Sequence, residues 1–362
     1  MKYTILSVVV CIPLLVKAQD EVVQYADSAF VSAVSDTITY QNHFFEDTTM
    51  LHIILRYDIS AFIKQKAKQE ERYFPAELVI YMSETDSITK NIRVKARGNF
   101  RKNHCYFPPI HLSFKTDKIN VEGFDEVNKI KMVTHCKSSN VYEQYVLKEY
   151  LAYRFYNLLT DNSLKVRLLR IKYEDTGKRK NHFEKYGFLI EPTKMLAQRK
   201  NCVEIEMKGF KPHNFLRTDL DRIALFNYMI GNTDWKLSAG HNLKFFKMND
   251  PFIRELNVVP YDFDYAGLVN TEYAIPQEWS VVKTVVERDY LGYCWDNHTE
   301  LLELIEEFKE KQSGIMGEIQ EFNYLSERER KIVESYMLDF YREINHIKSF
   351  IRMVEGACES LN

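Results

Sequence analysis

Alternation of apolar and polar positions dominates residues 50–135 and predicts a series of short, half-buried strands. Turn residues bound each run, and one predicted helix, Ile59–Glu70, interrupts the series. The predicted strands are Leu51–Leu55, Ala76–Met82, Ile88–Ala96, Ile110–Phe114 and Lys129–Val133, followed later by Val166–Tyr173 and Tyr186–Ile190.

A helical period of apolar positions replaces this alternation in other parts of the chain. Tyr142–Leu159 is predicted to be a long amphipathic helix, and Asp219–Ile230 a helix whose acidic first turn suits its dipole. Two short strands are predicted to flank the turn at Asn249–Asp250–Pro251. Two long helices follow, Asn297–Glu321 and Ser326–Val354, and the second opens with a capping box at Ser326–Glu329.

The order of these elements predicts an α+β chain of two lobes. A β-rich N-lobe with one long helix would span residues 44–191, and a mainly helical C-lobe would span residues 192–362. Residues 1–18 and 19–43 are interpreted as a signal peptide and an N-terminal arm. This layout predicts a bilobal protein-kinase-like fold.

The N-terminus has the pattern of a secretory signal. Lys2 precedes the apolar run Ile5–Val16, and Val16–Lys17–Ala18 forms a cleavage site before Gln19. No segment reaches the ~20 apolar residues that a membrane-spanning helix needs. We therefore expect a soluble, exported protein, periplasmic or extracellular, without a transmembrane anchor.

The composition of the chain bears on which partners it can bind and on whether its cysteines form disulfides or a metal site. The chain has 362 residues, 45% of them apolar, and its formal net charge is -2, which gives no overall field for nucleic acid. Five cysteines follow the signal, without a close CxxC pair, so a structural zinc site is not expected. Cys105 and Cys136 flank neighbouring strands and are candidates for a disulfide, but the spacing leaves the connectivity open.

The stretch from Gly231 to Gly267 contains the densest set of candidate catalytic residues. Asp234 and Asn242 lie eight residues apart before an apolar strand, and Asp262 and Asp264 follow a second strand. Residues i and i+2 of a strand share a face, so both aspartates are expected to face one site. Two carboxylates that close repel unless a cation separates them, which favours a divalent metal carrying phosphate. The alternative is that these aspartates cap turns and pair with Lys or Arg.

Five segments together resemble the CotH kinase-like family, which is named after a spore-coat protein and related to atypical secretory kinases. The similarity covers residues 50 to 350 and looks closest to exported proteins of Bacteroidetes-type bacteria. The segments are VKARGNFR at 94–101, VLKEYLAYRFYNLL at 146–159, YGFLIE at 186–191, IGNTDWKLSAGHN at 230–242 and PYDFDYAGLV at 260–269.

The resemblance implies phosphoryl transfer from ATP or another nucleotide, with Mg²⁺ or Mn²⁺, to a protein or cell-envelope acceptor. Asp234 matches the residue that orients the acceptor hydroxyl and takes its proton. Asn242, Asp262 and Asp264 match metal ligands. The implied nucleotide-binding residues are Lys131 or Lys95 paired with Glu149, Arg97 and Arg101 as phosphate contacts, and Glu191 beside the base.

Two other functions compete with this interpretation. A non-catalytic envelope protein would keep the same polar residues as a binding or assembly module. A metal-dependent glycosyltransferase would use Asp262–Phe263–Asp264 as a DxD motif for a sugar nucleotide. The glycosyltransferase is the weaker alternative because such enzymes place an alternating βαβ half before the motif.

Overall fold

Strands dominate the first half of the chain. The computed structural model describes residues 44–66, 72–117, 128–178, 180–206 and 209–361. The predicted signal peptide and the predicted arm, residues 1–43, lie outside this range. The strands of the first half are β1 (Leu51–Tyr57), β2 (Phe74–Tyr81), β3 (Ser87–Ala96), β4 (Ile110–Ser113), β5 (Lys129–Val133), β6 (Val166–Asp175) and β7 (His182–Ile190).

These strands close into a barrel in the order β1-β2-β3-β4-β5-β7-β6. Neighbouring strands are antiparallel except at the closing pair, where β1 runs parallel to β6 with Leu51 opposite Leu169. Closure pairs the edges that an open sheet would expose. On β3 the buried Ile92 and Val94 alternate with the partly exposed Arg93 and Lys95, so the polar side chains of this strand lie on the outer face.

The second half combines helices with a small antiparallel sheet. That sheet has the order β10-β9-β8, with β8 at Cys202–Ile205, β9 at Leu243–Met248 and β10 at Leu256–Pro260. The described helices are α1 (Ile59–Lys66), α2 (Phe100–His104), α3 (Asn140–Leu159), α4 (Thr193–Arg199), α5 (Arg217–Ile230), α6 (Thr299–Glu310), α7 (Gln312–Glu321), α8 (Glu327–Asn345) and α9 (Ile347–Ala357).

Helix α3 forms the centre of the core. It lacks Gly and Pro, and most of its length is buried because it packs against β6 and β7 on one side and α7 on another. Leu147, Leu151 and Phe155 are fully buried. The same packing buries three charged residues of the helix, Glu143, Lys148 and Glu149, and the Glu149 side chain is only 2% exposed.

The prediction of a bilobal protein-kinase-like fold with a helical C-lobe is wrong. The strands expected to form an open β-rich lobe instead close into a seven-stranded mixed barrel. The expected C-lobe includes the three-stranded sheet β8–β10 beside its helices, and residues from Phe45 onward belong to one compact unit. Apolar alternation specifies strands, but not which strands pair, and the parallel β1–β6 pairing that closes the barrel has no local signature.

Two disulfides join residues that are distant in the sequence. Cys105 pairs with Cys136, and Cys294 pairs with Cys358, which leaves Cys202 as a buried thiol in the described residues. Disulfides of this kind persist in oxidising compartments. No helix of the described part is both long enough and apolar enough to cross a membrane.

Candidate active site

A fixed loop after helix α5 positions Asp234. The helix ends at Gly231, whose φ of 65° is left-handed and suits glycine. A Cβ atom there would lie 2.0 Å from the Tyr336 hydroxyl, so the position has neither the conformation nor the space for another residue. Asn232 bonds Asn227 at 2.9 Å and accepts the N–H of Asp234 at 3.1 Å. The loop is therefore held by its own side chains.

Both oxygens of the Asp234 carboxylate have partners. His241 Nε2 lies 2.7 Å from Oδ1, and the Asn242 amide donates to Oδ2 at 2.8 Å and to the Asp234 carbonyl at 2.7 Å. Burial raises the pKa of Asp234 above its usual value, and the negative charge of Asp262 adds to this effect while His241 opposes it. Asp234 is thus oriented like a positioned base.

Asp262 and Asp264 lie just beyond strand β10, which ends at Pro260. Asp262 adopts a left-handed φ of 68°, and its N–H donates to the Tyr153 hydroxyl at 2.8 Å. Strand geometry therefore does not place the two aspartates on one face, as the sequence spacing predicted. Phe263 between them is fully buried and its ring centroid lies 4.6 Å from that of Tyr153. Among the described residues, no group hydrogen-bonds the Asp262 carboxylate.

Asp264 is buried beside Asp262. Tyr273 donates to Asp264 Oδ2 at 2.9 Å, and Thr271 donates to the Asp264 carbonyl at 3.1 Å. Burial, together with the negative charge of Asp262, raises the pKa of Asp264 to about 7. The charge of Asp234 acts in the same direction, so the three aspartates are near neighbours.

Glu149 on helix α3 is paired with an arginine. The sequence analysis expected Lys131 or Lys95, but the partner is Arg101 of helix α2, with Nη1 3.2 Å from Glu149 Oε2. Arg101 also lies 3.8 Å from Asp264 Oδ2 and donates to the Thr134 carbonyl at 2.9 Å. The buried guanidinium therefore links Glu149 to the aspartates.

The protonation of this buried pair follows from opposing effects. Burial raises the pKa of Glu149 to about 8, with Arg101 opposing the shift and Asp264 adding to it. Burial alone would lower the pKa of Arg101, but Tyr273, Glu149 and Asp264 raise it overall. We call Glu149, Asp234, Asp262 and Asp264 the acidic centre.

Two lysines border the acidic centre at Tyr261. The Lys131 ammonium lies 5.2 Å from the ring centroid of Tyr261, and that of Lys244 lies 6.0 Å from it. Burial, with the charges of Arg97 and Lys244, lowers the pKa of Lys131 to about 8, while Asp262 opposes the shift. Among the described residues, Lys131 has no carboxylate within ion-pair distance, whereas Lys244 pairs with Glu204 at 2.7 Å.

The remaining predicted nucleotide contacts lie in three different settings. Arg97 lies near enough to affect both Glu149 and Lys131. Lys95 lies on the outer barrel face, 5.4 Å from the centroid of the Tyr73 ring. Glu191 is buried, its carboxylate binds Arg199 at 2.9 Å, and its N–H bonds the Lys165 carbonyl. Both the carboxylate and the N–H of Glu191 are therefore engaged within the protein.

Two contacts of the acidic centre were not predicted from the sequence. His241 contacts Asp234, and its place beside Asn242 on the same loop was a usable signal. Tyr273 carried no signal, because it reaches Asp264 only through the folded position of its segment.

The oxygen donors of the acidic centre fit magnesium or manganese that arrives with phosphate. No group of three or more His, Cys, Asp or Glu side chains in the described chain forms a ready-made metal cage. Mg²⁺ is normally held by one or two carboxylates, with waters and substrate phosphates completing its shell. Asp262, Asp264 and the side-chain oxygen Oδ1 of Asn242 supply that number of donors, since Asp234 engages only the side-chain nitrogen of Asn242 and the Tyr261 N–H donates to its backbone carbonyl.

Comparison with known proteins identifies no family. No family model matches the chain, and no curated protein matches it. Among solved structures, a Helicobacter pylori proinflammatory kinase, CtkA, aligns with a TM-score of 0.41 and 11% identity, over 72% of this chain and 95% of that one. A likeness this distant carries no argument about fold or activity.

Proposed function

We propose that the protein transfers a phosphoryl group from a nucleotide to a hydroxyl acceptor, with Mg²⁺ or Mn²⁺. The observation that carries the proposal is that Asp234, held by His241 and Asn242, acts with Asp262 on the charge state of Asp264, near Lys131, which has no ion-pair partner among the described residues. Phosphoryl transfer depends mainly on positioning and on neutralising charge, and this site contains groups for both.

Asp234 is proposed to act on the acceptor. Its two oxygens are held by His241 and Asn242, so the carboxylate has one fixed direction in which to accept a hydroxyl proton. The raised pKa makes it a better proton acceptor than an exposed aspartate. His241 is 44% exposed at its side chain and gives the proton a route towards solvent.

Asp262 and Asp264, with the side-chain oxygen Oδ1 of Asn242, would hold the metal ion. The ion would neutralise phosphate charge and orient the transferred group. The charge of Asp262 raises the pKa of Asp264, so a cation between the two aspartates would stabilise both as carboxylates.

Lys131 and Arg97 are proposed to contact nucleotide phosphates. Neither has an ion-pair partner among the described residues, and Asp262 affects the charge state of Lys131. Arg101, in contrast, is engaged by Glu149 and the Thr134 carbonyl, and its role is to position the acidic centre. The two disulfides and the signal-like N-terminus favour an acceptor in the cell envelope or outside it.

A non-catalytic binding protein is the second candidate, and one observation favours it. Arg101 already supplies a positive charge to Glu149 and Asp264, and Asp234 is already bonded at both oxygens. These contacts hold Asp234, Asp264 and Glu149 in place without a ligand. The fold does not favour the glycosyltransferase alternative, because the described strands form a barrel and an antiparallel sheet rather than a βαβ nucleotide-binding half.

Nucleotide binding is the first test. Thermal-shift and calorimetric screens would compare ATP, GTP and sugar nucleotides, each with Mg²⁺, Mn²⁺ or EDTA. We expect saturable, metal-dependent binding of a nucleoside triphosphate. Binding of a sugar nucleotide alone would support the glycosyltransferase, and no binding with any divalent ion would leave the non-catalytic protein.

Two matched substitutions then separate the roles of the aspartates. Asp262→Asn is expected to abolish metal-dependent nucleotide binding because it removes a charged metal ligand. Asp234→Asn is expected to keep nucleotide binding but to lower the transfer rate by roughly 10²–10⁴. Both replacements preserve side-chain size, so circular dichroism should show unchanged folds. Equal loss of nucleotide binding in both variants would refute this division of roles.

A further inference from the structure

The outer face of strands β3, β4 and β5 carries an unusual row of basic residues. Their register places Lys95 opposite His111, and His111 opposite Lys131. Two residues along, Arg93 lies opposite Ser113, which lies opposite Lys129. Residues two apart in a strand share a face, so both rows lie on one side of the sheet. We call Arg93, Lys95, Arg97, His111, Lys129 and Lys131 the basic face.

These positive charges lie close enough to act on one another. Burial and the charges of Arg97, Lys131, Lys95 and Lys129 lower the pKa of His111 to about 4, so its imidazole is neutral. Arg93, Lys95 and Lys129 also surround one ring, that of Tyr73, at 5.3, 5.4 and 6.0 Å from its centroid. Like charges this dense repel one another, so this face of the sheet favours the approach of an anion.

Polar atoms on this face lack partners as well. His111 Nδ1, Ser113 Oγ, Arg93 Nε and the Tyr73 hydroxyl are buried without a hydrogen-bond partner in the described structure. Buried polar groups are normally satisfied, and of these four atoms His111 Nδ1 belongs to a residue that lines the cavity at the end of the basic face. Ser113 is only 1% exposed.

One end of the basic face opens into a cavity of about 390 Å³. Among the described residues, none of those that line it is acidic. The lining has three cationic side chains, two amides and the neutral His111: Lys95, Arg97, Lys102, Asn99, Asn103 and His111, beside Gly98. The volume lies in the range of small-molecule sites. Three cations with neutral donors suit a dianionic phosphate better than a single carboxylate.

We propose that this cavity binds a phosphate group carried by the acceptor, next to the acidic centre but separate from the nucleotide. Arg97 belongs to both places, because its charge acts on Glu149 as well as on His111. The inference rests on the proposed function for the identity of the acceptor, but phosphate binding itself does not. The acceptor would then be an already phosphorylated molecule, held by that phosphate while its hydroxyl faces Asp234.

Pyrophosphate is the probe for the cavity, measured by calorimetry at low ionic strength in EDTA, so that metal-dependent binding does not contribute. We expect saturable binding to the wild-type protein. Lys102→Ala and Lys95→Ala together should weaken it by about tenfold or more, since each removes a charge-assisted contact. Lys331→Ala removes one charge from an exposed residue of helix α8 and should change the affinity less than twofold.

Two further arms distinguish the source of the phosphate. Asp262→Asn should retain pyrophosphate binding. Saturating Mg²⁺–ATP should weaken probe binding to the wild-type protein, because Arg97 is shared with the nucleotide, but should not displace the probe completely. Complete displacement by nucleotide would overturn the proposal, because the cavity would then be the nucleotide's own phosphate site. Absence of saturable binding, or an equal loss in the Lys331→Ala variant, would also overturn it. Failure of nucleotide binding alone would reject the proposed function and leave the anion site standing.

Discussion

At the scale of the residue, Arg101 is the group on which the acidic centre depends. Its side chain is 10% exposed and touches Glu149, Asp264 and the Thr134 carbonyl. A buried ion pair contributes little net stability compared with apolar packing, but removing one partner leaves the others uncompensated. The centre is therefore sensitive to this one position.

Arg101→Met is expected to lower the free energy of unfolding by about 3–5 kcal/mol, because it leaves two buried acids without a counter-charge. Urea unfolding at about pH 9, above the pKa values of Glu149 and Asp264, measures the loss. The double variant Arg101→Met, Glu149→Leu should recover part of it, since one of the two stranded acids is gone. A single variant as stable as the wild type would contradict this account of the centre.

His135 provides a test of buried titration away from the acidic centre. Its ring stacks 4.6 Å from Phe107 and lines a cavity of about 640 Å³ that shares no residue with the acidic centre. Burial and the charge of Lys185 lower the pKa of His135 to about 3, so the folded protein holds it neutral.

Stability should therefore fall with acid through His135. Below about pH 6.5 His135 is protonated in the unfolded chain, whereas in the folded chain it stays neutral down to about pH 3. The free energy of unfolding therefore decreases steadily as the pH falls through this range. By pH 5 it should reach about 2 kcal/mol. His135→Phe should remove this part of the pH dependence in urea titrations. His182→Gln, at an exposed position, is the control, and an unchanged slope in the Phe variant would refute the assignment.

At the scale of the element, the sequence predicted the positions of strands and helices better than the points at which long helices are interrupted. Strand β5 has the predicted bounds, and helix α3 begins two residues before the predicted Tyr142. The two predicted C-terminal helices are each divided, at Lys311 and at His346. Neither position is Gly or Pro, and the apolar period continues through both breaks, so composition gave no signal.

The part of the site that the sequence did not predict consists of contacts between residues that are far apart in the chain. Asp234, Asn242, Asp262 and Asp264 were identifiable because they share two short motifs, but Arg101 was not identifiable as the partner of Glu149. The two residues belong to helices α2 and α3, and tertiary packing alone brings them together. The spacing argument for the aspartates also failed in detail, since the positive φ of Asp262 lies outside strand geometry.

The junction between helix α5 and the Asp234 loop gives a test at this scale. Gly231→Ala should destabilise the protein by more than the ~1–2 kcal/mol of left-handed strain, because the new Cβ would meet the Tyr336 hydroxyl at 2.0 Å. Adding Tyr336→Phe removes that oxygen. The double variant should therefore recover the part of the stability lost to the contact and keep only the cost of the left-handed backbone. Thermal unfolding of both single variants and the double variant measures the coupling. Additive effects would show that the contact is not the cause.

At the scale of the whole molecule, the Cys294–Cys358 disulfide ties the C-terminal end to a loop 64 residues earlier. Closing a loop of that length removes conformational freedom from the unfolded chain. Cys294→Ser with Cys358→Ser should therefore cost about 2–4 kcal/mol. Unfolding of the oxidised double variant measures the cost, with Cys202→Ser, which breaks no bond, as the control. A cost no greater than that of the control would contradict the expectation.

The parallel pairing of β1 with β6 also constrains the order of folding. The first strand of the barrel must wait for a partner that follows helix α3 in the chain, so closure is a late event with high contact order. Until Val166–Asp175 arrives, both β1 and β5 present unpaired edges that invite association with other chains. If the chain crosses a membrane N-terminus first, these two edges stay unpaired until β6 emerges. A chaperone that covers them would prevent association most effectively during that interval.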